Sequence, residues 1–338
     1  MSLQERSSAT PTGLFMNPAG QRRVDFQALC GDQFGKLFIA DGTEQASLLL
    51  AGQSVDLLII DLDGFDLAFD VAPLRRLLGQ QPHLRTLLLC PFAHARWIAE
   101  LADFGNVAYA IAPLLDADLR QSVAARLAGA APPSVEVRQL RELAAAANRL
   151  RQAIGEVDDL ERMAERICMA LSSLPGVVHA ALFHMRDMGE LHLEAQHATR
   201  GLNLLRILRR SDRLMQSPLR HGFPGLLAAC SGEMALLDAP AKAGDPEMAM
   251  ELSGSGVAMV LGLPLPLSRA GAPRGALSLM FDHAHQLNAD EMSAYISLAQ
   301  LAGFGLRMAE VCRENEVLTH RVTHMSTTDA LTGAANRR

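Results

Sequence analysis

Apolar positions in the first 130 residues fall into short runs separated by helix-spaced stretches. Gly13-Leu-Phe-Met16, Lys36-Leu-Phe-Ile-Ala40, Asp56-Leu-Leu-Ile-Ile60, Arg85-Thr-Leu-Leu-Leu-Cys90 and Val107 to Ile111 read as strands. Between them, Gln21 to Gln33 carries Val24, Phe26, Leu29 and Cys30 at helical spacing, and Thr43 to Leu50 reads as a short helix. The run 57–60 holds no polar residue, as expected of a strand covered on both faces of a parallel sheet. Strands of this kind alternating with helices predict a doubly wound α/β domain over 12–130, preceded by a polar, mobile start at 1–11. Functional groups in such sheets gather beyond the carboxyl ends of the strands.

Ala130-Ala-Pro-Pro-Ser134 closes that domain, because consecutive prolines cannot continue a helix. A linker helix follows over 135–155. Its Leu140, Leu143, Ala147, Leu150 and Ile154 suit equally a helix packed on its own domain and the seam of a parallel dimer. Beyond Gly155, Asp158-Asp159 start a second helix that runs to about Leu174. An apparent hairpin comes next, Val177 to Met185 and Glu190 to Ala198, turning at 186–189. After a variable middle come strands at Val257 to Leu267 and Gly275 to Asp282, then a helix from about Asn288 to Cys312. This order predicts an α+β sandwich with an antiparallel sheet over 156–312. From about Leu298 no stop signal interrupts the closing helix. Leu301, Met308, Val311, Asn315, Leu318, Val322 and Met325 keep heptad positions, which predicts a coiled-coil stalk over 298–328 and a homodimer. Asn315 in that seam would fix a parallel register, with Leu318, Val322 and Met325 completing it.

Composition narrows the function classes. Apolar residues make up 49% of the 338 and charged residues 20%, which suits folded domains. A formal charge of -6 without a basic block leaves no footprint for nucleic acid. Arg206, Arg209, Arg210 and Arg213 read as the solvated face of a helix. The longest apolar stretch is interrupted by glycine and proline and is far too short for a membrane span. Five scattered cysteines without a C-x-x-C read as reduced thiols in the cytoplasm, with Cys230 in the core. Four histidines on the hairpin (His179, His184, His192, His197) raise a metal reading. A four-residue turn would pair His184 with Leu191 and put His184 and His192 on opposite faces, against a shared site; one slip of register would reverse this. Asp290-Glu291 suit the start of a helix.

Three resemblances follow from these patterns. Val55-Asp-Leu-Leu-Ile-Ile-Asp61-Leu resembles the third strand of response-regulator receiver domains and places Asp61 where their phosphorylated aspartate lies. The acidic pair that holds Mg²⁺ in that family is replaced by Asn17-Pro18, its hydroxyl residue by Cys90, and its lysine by Ala112. Without those groups nothing offsets the charge of a transferring phosphoryl group, so the domain reads as a pseudo-receiver used for packing or dimerisation. Gly225-Leu-Leu-Ala-Ala-Cys-Ser-Gly232 through Asp238, Leu263-Pro-Leu-Pro-Leu267 and Arg274-Gly-Ala-Leu-Ser-Leu279 resemble a GAF domain. That resemblance implies dimerisation or a small-molecule ligand, whose identity no motif encodes. Finally, Asp329, Leu331, Thr332, Gly333, Asn336, Arg337 and Arg338 resemble the D-x-L-T-G-L-x-N-R-R segment that opens the GGDEF domain of diguanylate cyclases, with Ala334 in place of the usual leucine. No GG[DE]EF signature occurs in the chain, so residues 329–338 read as the start of that domain. The implied function is sensory regulation of a downstream cyclase that joins two GTP with Mg²⁺; no catalytic or metal-binding residue is expected here. A plain scaffold without ligand, and the regulator of a degenerate GGDEF or phosphodiesterase output, are the alternatives.

Overall fold

A computed structural model describes residues 10–104, 106–129, 137–155, 160–185, 191–199, 202, 204, 219–266 and 275–327. The first sheet is parallel, in the order β2-β1-β3-β4-β5, from β1 (Thr12–Met16), β2 (Lys36–Ala40), β3 (Leu57–Asp61), β4 (Arg85–Pro91) and β5 (Val107–Ala112). This is the doubly wound order of flavodoxin-like sheets. The pleat explains the unbroken apolar runs, since alternate residues serve two cores. Leu57 and Ile59 face Phe15, Phe26 and Val123, while Leu58 and Ile60 face Leu74, Leu77 and Ile98. The first set packs under α1 (Gly20–Cys30) and α5 (Asp116–Leu127). The second lies under α2 (Thr43–Gly52), α3 (Leu67–Gln80) and α4 (Arg96–Leu101). Phe15 and Phe26 stack with centroids 4.0 Å apart and fix α1 on the sheet.

The linker helix, α6 (Val137–Gly155), leads to α7 (Leu160–Ser172). Its Leu143, Ala146 and Leu150 are buried, with Leu140, Ala147 and Ile154 against the same core, so the linker seam is engaged inside the chain. The proline segment before it and Asp158-Asp159 lie outside the described residues.

The second sheet is antiparallel, in the order β7-β6-β10-β9-β8, from β6 (Val177–Met185), β7 (Leu191–Ala198), β8 (Ala235–Leu237), β9 (Met259–Pro264) and β10 (Gly275–Phe281). One face carries α6, α7 and the closing helix. The other carries α8 (Leu219–Gly222), α9 (Pro224–Ser231) and α10 (Pro246–Gly254), which gives the expected α+β sandwich. Close approach of backbone in one case and of side chains in the other explains two glycines here. A Cβ on Gly262 would lie 2.1 Å from the Pro224 carbonyl oxygen, and one on Gly225 would lie 2.8 Å from Ser278 Cβ. The closing helix, α11 (Ala289–Thr327), is one continuous element. One hydrophobic cluster runs from the first domain (Trp97, Ile98, Tyr109) through Met234 and Leu261 into α11 (Met292, Leu298, Ala302).

Candidate functional site

Asp61 ends β3 at the carboxyl edge of the parallel sheet, where the spacing of apolar residues predicts it. Its partner comes from the first turn of α1. Arg22 Nε donates to Asp61 Oδ2 at 2.8 Å and Nη2 to Oδ1 at 3.2 Å. The same Nη2 lies 3.3 Å from an Asp63 carboxylate oxygen. Asn17 Nδ2 donates to the carbonyls of Asp61 and Asp63 at 3.0 and 2.7 Å, and its Oδ1 accepts from the Ala19 N–H. Burial pushes the Asp61 carboxyl above the ordinary carboxylate range, and Arg22 draws it part of the way back. Cys90 is buried nearby, its thiol pushed up first by burial and then by the Asp61 charge. Mg²⁺ requires bare carboxylate oxygens. Here a guanidinium covers both Asp61 oxygens and Asn17 presents donors, so these residues do not fit Mg²⁺.

Much of the same edge is covered by the second domain. Lys242, in the turn after β8, donates to the Ile111 carbonyl at 2.8 Å and to Asp238 Oδ1 at 2.7 Å. Gln286 Nε2 donates to the Tyr109 carbonyl at 2.8 Å, and Arg96 on α4 pairs with Glu233 at 2.5 Å. Apart from the local Lys242–Asp238 pair, these contacts join residues more than 130 positions apart and leave no mark in local sequence.

In the second domain, the sheet face under α9 and α10 is filled by Phe183, Phe223, Leu226, Val260 and Met280. Phe183 and Phe223 meet edge to face at 6.1 Å. Three polar side chains share that face, His179, Gln196 and Ser278, as the strand registers require. Both ring nitrogens of His179, Gln196 Oε1 and Ser278 Oγ are buried without a hydrogen-bond partner among the described residues. Burial lowers His179 to about 4, although Gln196 beside it favours the charged form. The neutral imidazole carries one ring N–H donor and one ring acceptor, with Gln196 as its polar neighbour.

Two sequence expectations are corrected here. From the turn end the strands pair Met185 with Leu191, one residue off the expected register, which sets His184 directly opposite His192, so the two share a face. His184 Nε2 lies 3.3 Å from Glu310 on α11. Among the described residues, no group of three His, Cys, Asp or Glu side chains is placed to hold a metal. Cys230 is exposed rather than core. The buried side of α9 runs through Leu226 and Ala229, and the next residue, about 100° further round, points outward. At the start of α11, Glu291 accepts from the Asn288 N–H while Asn288 Oδ1 accepts from the Glu291 N–H, a reciprocal cap.

Along α11, Leu301 and Val311 are half-buried, Met308 is exposed, and every residue over 313–320 is exposed. Asn315, Leu318 and Val322 therefore face away from the body; Met325 lies on the helix. The basic cluster 206–213 and the motif 329–338 lie outside the described residues. No described helix is long and apolar enough to cross a membrane.

No family model and no curated protein matches this chain. Solved structures do. A GAF domain of a phosphoenolpyruvate-protein phosphotransferase from Coxiella burnetii is 19% identical, covering 51% of this chain and 96% of its own, with a TM-score of 0.39. The corresponding domain from Acinetobacter is 16% identical over 52% and 97%, with a TM-score of 0.37. A CheY-like response-regulator receiver domain from Methanospirillum hungatei JF-1 is 13% identical over 36% and 95%, with a TM-score of 0.32.

Proposed function

We propose that this chain is the sensory and dimerising region of a diguanylate cyclase, with catalysis, GTP and Mg²⁺ belonging to a GGDEF domain downstream of residue 338. The observation that carries the reading is α11. It begins inside the core of the second domain, and it continues past that core with Leu318 and Val322 exposed, toward the motif that resembles the opening of a GGDEF domain. In this reading the first domain is a packing module whose Asp61 is held in an ion pair, and the orphaned polar groups around His179 meet a small molecule. Ligand binding would bias the helical seam of a parallel homodimer, and so the alignment of two output domains.

Asn315→Leu in the full-length parent tests the register role. The expected outcome is a more stable or differently sized oligomer by native mass spectrometry, with altered cyclic di-GMP output. If both stay unchanged, Asn315 has no register role. The apolar filling of the second sheet favours a second reading, a ligand-free scaffold. In that case native mass spectrometry shows a dimer with no co-purifying small mass.

A further inference from the structure

A cavity of about 170 Å³ opens where the start of α6, the turn after α7, the loop after β10 and the first turns of α11 meet. Leu143 and Pro175 belong to its apolar side, while Glu142, His283, His285, Glu291 and Tyr295 form the other. Ring contacts fix that second wall. His283 stacks on His285 at 5.0 Å, and Phe281 meets His285 and Tyr295 edge to face at 5.8 and 5.9 Å. His283 Nδ1 lies 2.8 Å from Asp282 Oδ1; a carboxylate only accepts, so Nδ1 donates and Nε2 is the acceptor of the neutral ring. Burial, and then the His283 charge, lowers His285 below its ordinary value, so its ring is neutral at pH 7. Burial, and after it the charges of Glu291 and Glu142, raise the Tyr295 hydroxyl, so both carboxylates act on this wall. Among the described residues, no lysine or arginine lines the cavity.

We infer that this cavity is a binding site for a small organic cation, a primary ammonium on a compact apolar body. Its lining sets the sign: an ammonium meets attraction from two carboxylates, an anion meets repulsion, and a neutral molecule meets neither. Glu142 is half-buried and Glu291 only 3% exposed, so Glu142 makes the direct contact and Glu291 adds its field. The Tyr295 ring adds an aromatic wall of the kind that attracts cations. A metal ion is the poorer fit, because no three ligating side chains converge among the described residues. An ammonium is a compact point charge and needs no such set. The volume lies below the usual range of small-molecule sites, roughly 300–1,000 Å³, so the apolar body is only a few carbon atoms. The walls come from α6 and α11 together, and occupancy is therefore linked to how the linker helix packs on the closing helix. None of this depends on the cyclase reading.

The chain has two tyrosines, Tyr109 and Tyr295, so labelling with meta-fluorotyrosine gives two fluorine NMR signals, which Tyr109→Phe assigns. Isobutylamine, isobutanol and isobutyrate, titrated into the full chain at neutral pH, share one branched body and differ in charge. The amine is expected to shift the Tyr295 signal saturably and to bind roughly fivefold or more tightly than either analogue. Glu142→Gln is expected to erase that preference. Gln139→Trp fills the cavity from a half-buried lining position and is expected to abolish binding, which keeps the test open should the first variant not fold. Zn²⁺ alone is expected to leave the Tyr295 signal unmoved. Four results would overturn the inference: no saturable shift with the amine; equal or tighter binding of the alcohol or the carboxylate; a Tyr295 shift with Zn²⁺; or amine binding unaltered in both variants.

Discussion

Arg22 and Asp61 form a pair whose members differ in exposure: the arginine side chain is 40% exposed and the aspartate 4%. Removing the arginine strands a buried carboxylate, while the arginine's own access to water lowers the net worth of the contact. Arg22→Ala is therefore expected to cost about 1–3 kcal/mol at pH 7 by urea unfolding. Since Asp61 already titrates above the ordinary carboxylate value, the native state binds its proton more tightly than the unfolded chain does. Stability thus falls as pH rises from the ordinary value through the raised one. Losing Arg22 raises the carboxyl further and widens that window upward, so the variant's deficit is larger at pH 7 than near pH 4. Adding Asp61→Asn in the same background recovers most of it. His179 has the opposite sign. Its value falls from 6.5 unfolded to about 4 folded, so stability is present above 6.5 and lost as pH drops toward 4. That loss amounts to about 3 kcal/mol. His179→Leu is expected to flatten this slope in stability measured across pH 4 to 7. The position of Asp61 was legible because it ends an apolar strand. Arg22 was not, because nothing local marks an arginine on one helix as the partner of an aspartate 39 residues on.

The elements themselves were largely readable. Doubly covered strands such as β3 announce themselves as unbroken Val, Ile and Leu runs, and β2 falls on the run 36–40. The strands of the hairpin are legible from alternation but their register is not: Met185 pairs with Leu191 rather than Glu190, and alternation alone does not encode where pairing resumes after a turn. The seam of α6 was ambiguous by spacing, and the structure resolves it through Gly305. A Cβ there would lie 2.6 Å from Ile154 Cγ1, so α6 and α11 approach closely at this point. Gly305→Leu is expected to destabilise the chain by about 1–3 kcal/mol, because the overpacking against Ile154 outweighs the gain in helix propensity. Thermal melts of Gly305→Leu, Ile154→Ala and the double variant check this: the double variant should be more stable than the sum of single losses predicts.

At the scale of the whole molecule, the two domains share one hydrophobic cluster and are joined by Lys242, Gln286 and the Arg96–Glu233 pair. Lys242 is the most enclosed of these charges, with its side chain 15% exposed. Lys242→Met removes the bond to Ile111 and leaves Asp238 alone. Faster hydrogen exchange is expected at 107–112 and 286–291, with little change in β1 or β7, measured by mass spectrometry. The domain order was legible, but this junction was not, because its contacts join residues far apart in the chain. The closing helix leaves the junction near Glu310 and runs on to Thr327. At 1.5 Å per residue, that free length is a lever of about 25 Å. Pivoting by about 10° at its root near Glu310 would sweep its tip through roughly 4 Å. A repacking too small to alter either sheet would therefore arrive at the far end as a displacement larger than an atom.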